Sequence, residues 1–210
     1  MSVPNRAENF QKIAILGLGN AGKTSIVKTI LYEFRAFTSI LPTTGVDRTD
    51  IDFFGHKLVI WDFGGQEQYR EIYLTRPIMY FQGIKYLYYV IDSQDKSQLE
   101  KSIEYFQKIL ETAHKFNDSL KIFLFFHKID PKYKGSLDFS HIENLFIDGI
   151  SDDLEKYKIN PVIFHTSIYN PITVISAFSQ PLLGNKTIYD TLCDVVDSFC
   201  WERDLLLGFI

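Results

Sequence analysis

Residues 12–24 read KIAILGLGNAGKT, and this stretch decides the fold. KIAIL has the composition of a buried strand, GLGNAGKT (17–24) fits G-x-x-x-x-G-K-[ST], and a helical pattern begins directly after it. The glycines let successive backbone N–H groups turn inward around a chain of phosphates, and the N-terminus of the following helix adds positive potential. The loop amides of Asn20, Ala21, Gly22, Lys23, Thr24 and Ser25 are therefore candidate phosphate contacts. Lys23 offers a point charge to the outer phosphates, and the Thr24 hydroxyl is a hard oxygen suited to magnesium.

Outward from this unit, strand-like and helical patterns alternate. KIAIL is followed by a helical stretch over 22–35, the pair RTDIDFF (48–54) and KLVIWD (57–62), and a helical segment near 68–82. IKYLYYVI, a helix over 96–116, KIFLFF, a helical stretch near 140–157 and PVIFHTS then follow. Such alternation predicts an α/β fold with a six-stranded, mostly parallel sheet and helices on both faces. The Gly55-His56 turn between RTDIDFF and KLVIWD predicts one antiparallel strand. The unbroken apolar runs at 84–91 and 121–126 read as central strands buried on both faces.

The C-terminal part has a different character. Asn170-Pro171 opens a helix with Val174, Ile175, Phe178 and Leu182 on one face, expected to end near Pro181 and Gly184. A second helix over 186–202 and an apolar strand, RDLLLGFI, are expected beyond it. The expected division is a nucleotide-binding domain over 1–184 and a C-terminal helix and strand over 185–210. A strand with nothing to pair with suggests the start of a further domain.

Composition limits the alternatives. The chain has 210 residues, 46% hydrophobic and 23% charged, enough to bury a core without metal or disulfide staples. A net charge of −4 without basic runs argues against nucleic acid as a partner. Cys193 and Cys200 on one helix would lie about 10 Å apart along its axis, too far to pair. His56, His114 and His141 have no ligand spacing that would hold a structural metal. No run reaches membrane-spanning length, MSVPNRAENF lacks a signal core, position 2 is not glycine, and the C-terminus offers no prenylation cysteine. These features predict a cytoplasmic protein without its own membrane anchor, brought to a membrane surface only by a partner.

The remaining motifs select the nucleotide. Asp62 ends KLVIWD and opens D-F-G-G-Q (62–66), where the carboxylate can hold the metal, the Gly65 N–H can meet the terminal phosphate and Gln66 can orient a water. D-F-G also occurs in kinases, but no H-R-D loop accompanies it here. Thr43 in LPTTG (41–45) is a candidate second hydroxyl on the metal, giving Thr24, Thr43 and Asp62 as the ligand set. HKID (127–130) closes KIFLFF; Asp130 can accept from guanine's imino and amino hydrogens while the Lys128 stem covers the base. The N–H groups of Ser167 and Ile168 in HTSIY (165–169) can meet the keto oxygen. All these residues fall just past strand C-termini, where open α/β sheets bind ligands. The joint reading is a GTP- or GDP-binding switch in which Gln66 and Lys23 act on hydrolysis.

The sequence resembles the Ras-like small GTPases from about residue 11 to 169. WDFGGQ and PTTG look like the Arf branch, whereas HKID, HTSIY and YLYYVID followed by SQLEKSIEYFQ look like the Rag/Gtr GTPases. The resemblance implies a P-loop G domain, slow magnesium-dependent GTP hydrolysis, effectors and GTPase-activating proteins. It also implies a roadblock-type domain after the G domain, through which the chain would form a homo- or heterodimer. His127 stands where most Ras-like proteins have Asn, a feature shared with the Rag family. Ile40 occupies the place of a built-in arginine finger, and Arg35, Arg48, Arg70 and Arg76 read as solvated charges. The alternatives are a non-hydrolysing guanine-nucleotide scaffold and an Arf-like trafficking GTPase.

Overall fold

A computed structural model describes residues 10–32, 41–53, 55–131 and 137–183. Its six strands are β1 (Gln11–Gly17), β2 (Val46–Phe53), β3 (His56–Phe63), β4 (Ile84–Asp92), β5 (Lys121–His127) and β6 (Val162–His165). They form one sheet in the order β2-β3-β1-β4-β5-β6, and only β2 runs antiparallel to its neighbour. The expected sheet is present, including the hairpin and the doubly buried β4 and β5.

Alternation along the central strands sorts side chains between two cores. Ile13 and Ile15 of β1, Tyr88 of β4 and Phe125 of β5 face α1 (Lys23–Ile30) and α6 (Pro171–Leu183). Their neighbours Ala14, Leu16, Tyr89 and Phe126 face the other way, toward α2 (Glu67–Thr75), α3 (Pro77–Phe81), α4 (Leu99–His114) and α5 (Leu137–Tyr157). The buried tyrosines are satisfied: Tyr88 donates to the Phe178 carbonyl at 3.0 Å and Tyr89 to that of Ser102 at 2.7 Å.

Three boundaries differ from the sequence reading. The helix expected over 68–82 is split into α2 and α3 at Arg76 (φ −125°, ψ 56°), because Pro77 disfavours helical geometry in the residue before it. A 3₁₀ turn at Lys96–Gln98 precedes α4. Helix α1 stops at Ile30 with Leu31 as its C-cap, short of the stretch expected over 22–35, whereas α6, which runs through Pro181 to Leu183, fits the end expected near Pro181 and Gly184. The helix and strand expected over 185–210 lie outside the described residues, as do 36–40 and Arg35. No described helix is long and apolar enough to cross a membrane.

Parallel pairing sets the strand ends at one edge. Ile15 is level with Asp62, Asp92 with His127, and Phe126 with His165. GLGNAGKT, DFGGQ, HKID and HTSIY come at these ends, and LPTTG precedes the antiparallel β2, whose first residue Val46 is level with Phe63 at the same edge.

Candidate functional site

The phosphate loop leaves β1 and enters α1 through Gly22 at φ 97°, with no side chain capping the helix. The first amides of α1 are thus left for a ligand, the local condition for anion binding. Lys23 is buried, and its Nζ donates to the Leu18 carbonyl at 2.7 Å. Burial lowers its pKa to about 8 against the opposing pull of Asp62. A buried cation resting on a carbonyl is primed for a stronger acceptor, as phosphate oxygens are.

Three oxygens from three segments converge beside it. The hydroxyls of Thr24 and Thr43 lie 2.9 Å apart, and both donate to Asp62 Oδ2, at 2.6 and 3.4 Å. Asp62 Oδ1 is buried without a partner among the described residues, and burial raises the carboxyl's pKa. Two hydroxyls and a carboxylate with an orphaned oxygen fit a small hard divalent cation, magnesium above all. Thr43, which follows Pro42 in a common turn dipeptide, is in this group.

Gly65 brings the DFGGQ loop against the phosphate loop. A Cβ there would collide with the Leu18 carbonyl and the Gly19 amide, so only glycine permits the approach. A cleft of about 180 Å³ results, bordered by Lys23, Thr24, Thr43, Gly65 and Gln66. Gln66 is the N-cap of α2 with an extended backbone. The Gly64 N–H and the Tyr73 hydroxyl both donate to the Gly45 carbonyl, at 2.8 and 2.6 Å, tying the DFGG loop and α2 to the segment carrying Thr43. A larger hollow of about 490 Å³ near Leu120, Phe123, Val162 and Pro181 contains none of the motif residues.

The loops after β5 and β6 form a second cluster. Asp130 Oδ1 accepts from the Ser167 hydroxyl at 2.7 Å, and Oδ2 from Gln94 Nε2 at 3.0 Å. Lys128 adopts φ 64° and its Nζ pairs with Asp92 Oδ2 at 2.6 Å. The Ser167 N–H, expected to face a keto oxygen, instead donates to Thr173 Oγ1 at 3.1 Å. Ser167 thus contributes its hydroxyl to Asp130, and the Ile168 N–H has no hydrogen-bond partner among the described residues.

His127 is 1% exposed and links the two clusters. Its Nδ1 shares a hydrogen bond of 2.9 Å with Thr166 Oγ1, and its ring lies where a Gly22 Cβ would be, 2.8 Å from Nε2. Burial and the nearby Lys128 lower its pKa to about 4, so the imidazole is neutral at pH 7. The ring sits between the phosphate loop at Gly22 and Thr166, the residue after β6.

Sequence reasoning missed Asp92, Gln94 and Thr166. The first two follow β4 as HKID follows β5, and that shared position was the available signal. It also misread Arg70, which is half-buried with its guanidinium 4.9 Å above the Tyr105 ring and Nε without a partner. Arg48 is exposed and stacks on Trp61 at 3.9 Å, and Arg76 is exposed.

The sequence model described as the Gtr1/RagA G protein conserved region matches residues 12–203. The GTP-binding protein GTR1 of Saccharomyces cerevisiae is 32% identical over 179 residues, covering 83% of this chain and 56% of that protein. ADP-ribosylation factor-like protein 3 of Chlamydomonas reinhardtii is 39% identical over 97 residues, 46% of this chain and 51% of that protein. The chain spans about half the length of these relatives. The Arl6 BBS3 small GTPase of Trypanosoma brucei, solved with the nucleotide analogue GppNp, shares the fold at a TM-score of 0.62 and 20% identity, covering 80% of this chain and 93% of its own. A match over nearly the whole chain, joined to a phosphate loop, a DFGGQ loop and an HKID loop on one sheet edge, establishes that this chain belongs to the Gtr1/RagA family of G proteins.

Proposed function

We propose that this chain is a guanine-nucleotide switch that binds GTP and GDP with magnesium and hydrolyses GTP slowly. The observation that carries the reading is the meeting of Thr24, Thr43 and the half-orphaned Asp62 carboxylate beside buried Lys23. Asp130 with its two donors lies on the same sheet edge. Family membership and the printed name of the GTR1 relative point the same way.

In this reading the loop and first α1 amides from Asn20 to Ser25 and the Lys23 side chain bind the phosphates, and the Gly65 N–H meets the terminal one. Thr24, Thr43 and Asp62 hold magnesium, which when bound supplies positive charge to phosphate oxygens. Asp130 reads guanine's N–H edge, Lys128 covers the base, the Ile168 N–H meets the keto oxygen, and His127 and Ser167 hold the site in place. Gln66 orients the attacking water.

Loss of the terminal phosphate removes the ligand that draws Thr43 and Gly65 together. The Gly45 carbonyl, which joins Gly64 and Tyr73, carries that change into α2. No described arginine belongs to the hydrogen-bonded group of Lys23, Thr24, Thr43 and Asp62. Intrinsic turnover is therefore expected at about 10⁻⁴ to 10⁻³ s⁻¹, with a partner's cation adding about 10³ to 10⁵. Effectors, GTPase-activating proteins and dimerisation through a following domain are the partners this role requires.

Single-turnover hydrolysis with and without magnesium tests the reading. Gln66→Leu should slow phosphate release while GTP binding stays near the wild-type value. Release at several per second without a partner, or equal rates for both proteins, would refute this assignment of roles.

A further inference from the structure

We propose that Gln94 is a positioning residue for base recognition, its side-chain amide holding both the Asp130 carboxylate and the Lys128 main chain in the pose that reads guanine. The proposal rests on the guanine-nucleotide reading above and adds a residue outside its motifs.

Strand β4 ends level with β5, Asp92 facing His127, so the turn after β4 runs alongside HKID. Asp92 anchors that turn with both oxygens. Oδ1 accepts from the Gln94 N–H at 2.9 Å and Oδ2 from Lys128 Nζ at 2.6 Å. From there the Gln94 amide reaches across and donates to the Lys128 carbonyl at 2.6 Å and to Asp130 Oδ2 at 3.0 Å. Both bonds leave one –NH₂ group, which has two hydrogens to give.

The result is a carboxylate clamped from two sides, by Gln94 on Oδ2 and by the Ser167 hydroxyl on Oδ1. A carboxylate offers about four lone-pair sites. One donor on each oxygen fixes its plane and leaves one site per oxygen for the imino and amino hydrogens of guanine. The bond to the Lys128 carbonyl holds the left-handed backbone (φ 64°) that sets Asp130 two residues later. A carboxylate at position 94 would face two acceptors, so the chemistry requires a donor amide.

The test is a competition assay of the full chain against fluorescent GDP, with GDP and IDP as competitors. IDP keeps the imino hydrogen and lacks the 2-amino group. Loss of a hydrogen bond to a charged acceptor at a solvent-reachable site should weaken GDP about tenfold in Gln94→Ala. The GDP-to-IDP preference should fall with it, since a carboxylate free to rotate loses its two-pronged grip. Gln94→Glu, which sets charge against Asp130, should be weaker still, while Gln94→Ala without nucleotide should melt as wild type does.

GDP binding within twofold of wild type in Gln94→Ala would overturn the proposal, and so would equal weakening of GDP and IDP. Wild type failing to bind GDP would overturn the guanine reading and this proposal together. Wild type binding GDP while the variant is unchanged would overturn this proposal alone.

Discussion

The contact between His127 and the phosphate loop can be tested by asking whether Gly22 tolerates a methyl group. Gly22 sits at φ 97°, where an L residue costs about 1–2 kcal/mol. A Cβ there would also lie 2.8 Å from His127 Nε2 and closer still to the ring carbon. The ring cannot swing aside, because it is 1% exposed and bound to Thr166. Overpacking of this kind costs about 1–3 kcal/mol. Gly22→Ala should therefore lose about 2–5 kcal/mol, a large part of the stability of an ordinary domain. In a His127→Ala background the obstructing ring is gone and only the backbone cost remains. Urea unfolding of the four proteins in the cycle should yield a coupling of about 1–3 kcal/mol. The same penalty for Gly22→Ala in both backgrounds would show that the imidazole does not bear on the loop, and the account of why histidine stands at 127 would fall.

Asp130→Asn replaces one of the acceptor oxygens that take Ser167 and Gln94 with a donor amide. It should cost a few kcal/mol of guanine-nucleotide binding, and unchanged GTP affinity would remove Asp130 from base recognition. His127 titrates near 4 in the folded chain against 6.5 in the unfolded one, so between these values the unfolded state holds a proton that the native state lacks. Stability should fall as pH drops from 6.5 to 4, by roughly 3 kcal/mol; urea midpoints at pH 7 and 4.5 should show this loss in wild type and a smaller one in His127→Asn. Lys23 titrates near 8 when no phosphate is bound, and phosphate favours its charged form. GDP affinity should hold below pH 8 and decline above it, as a titration of Kd from pH 7 to 9 would reveal.

Local chemistry makes most of the candidate site legible in the sequence. GLGNAGKT needs its glycines and its helix start close together in the chain, so its spacing alone carries the reading. Asp62 and Asp130 could be placed because each ends an apolar strand, and strand ends of a parallel sheet gather at one edge. The pattern of periods also yielded the sheet, its hairpin and the buried strands. Helix boundaries were less legible where one residue overrides periodicity, as Pro77 does by breaking α2 from α3.

Pairing between distant segments was decided only in three dimensions. Nothing local to YLYYVIDSQD says that its end is level with HKID; the β4–β5 register does, and it brings Asp92 and Gln94 onto Lys128 and Asp130. Ser167 showed the same limit, since a backbone donor can be counted from sequence but its partner, Thr173, cannot. Arg70 looked solvated because charge is a property of the residue, whereas its burial over Tyr105 depends on how α2 packs against α4. Motifs record the chemistry that a segment carries within itself. Which group each side chain meets depends on long-range pairing and packing, and these exist only once the sheet has formed.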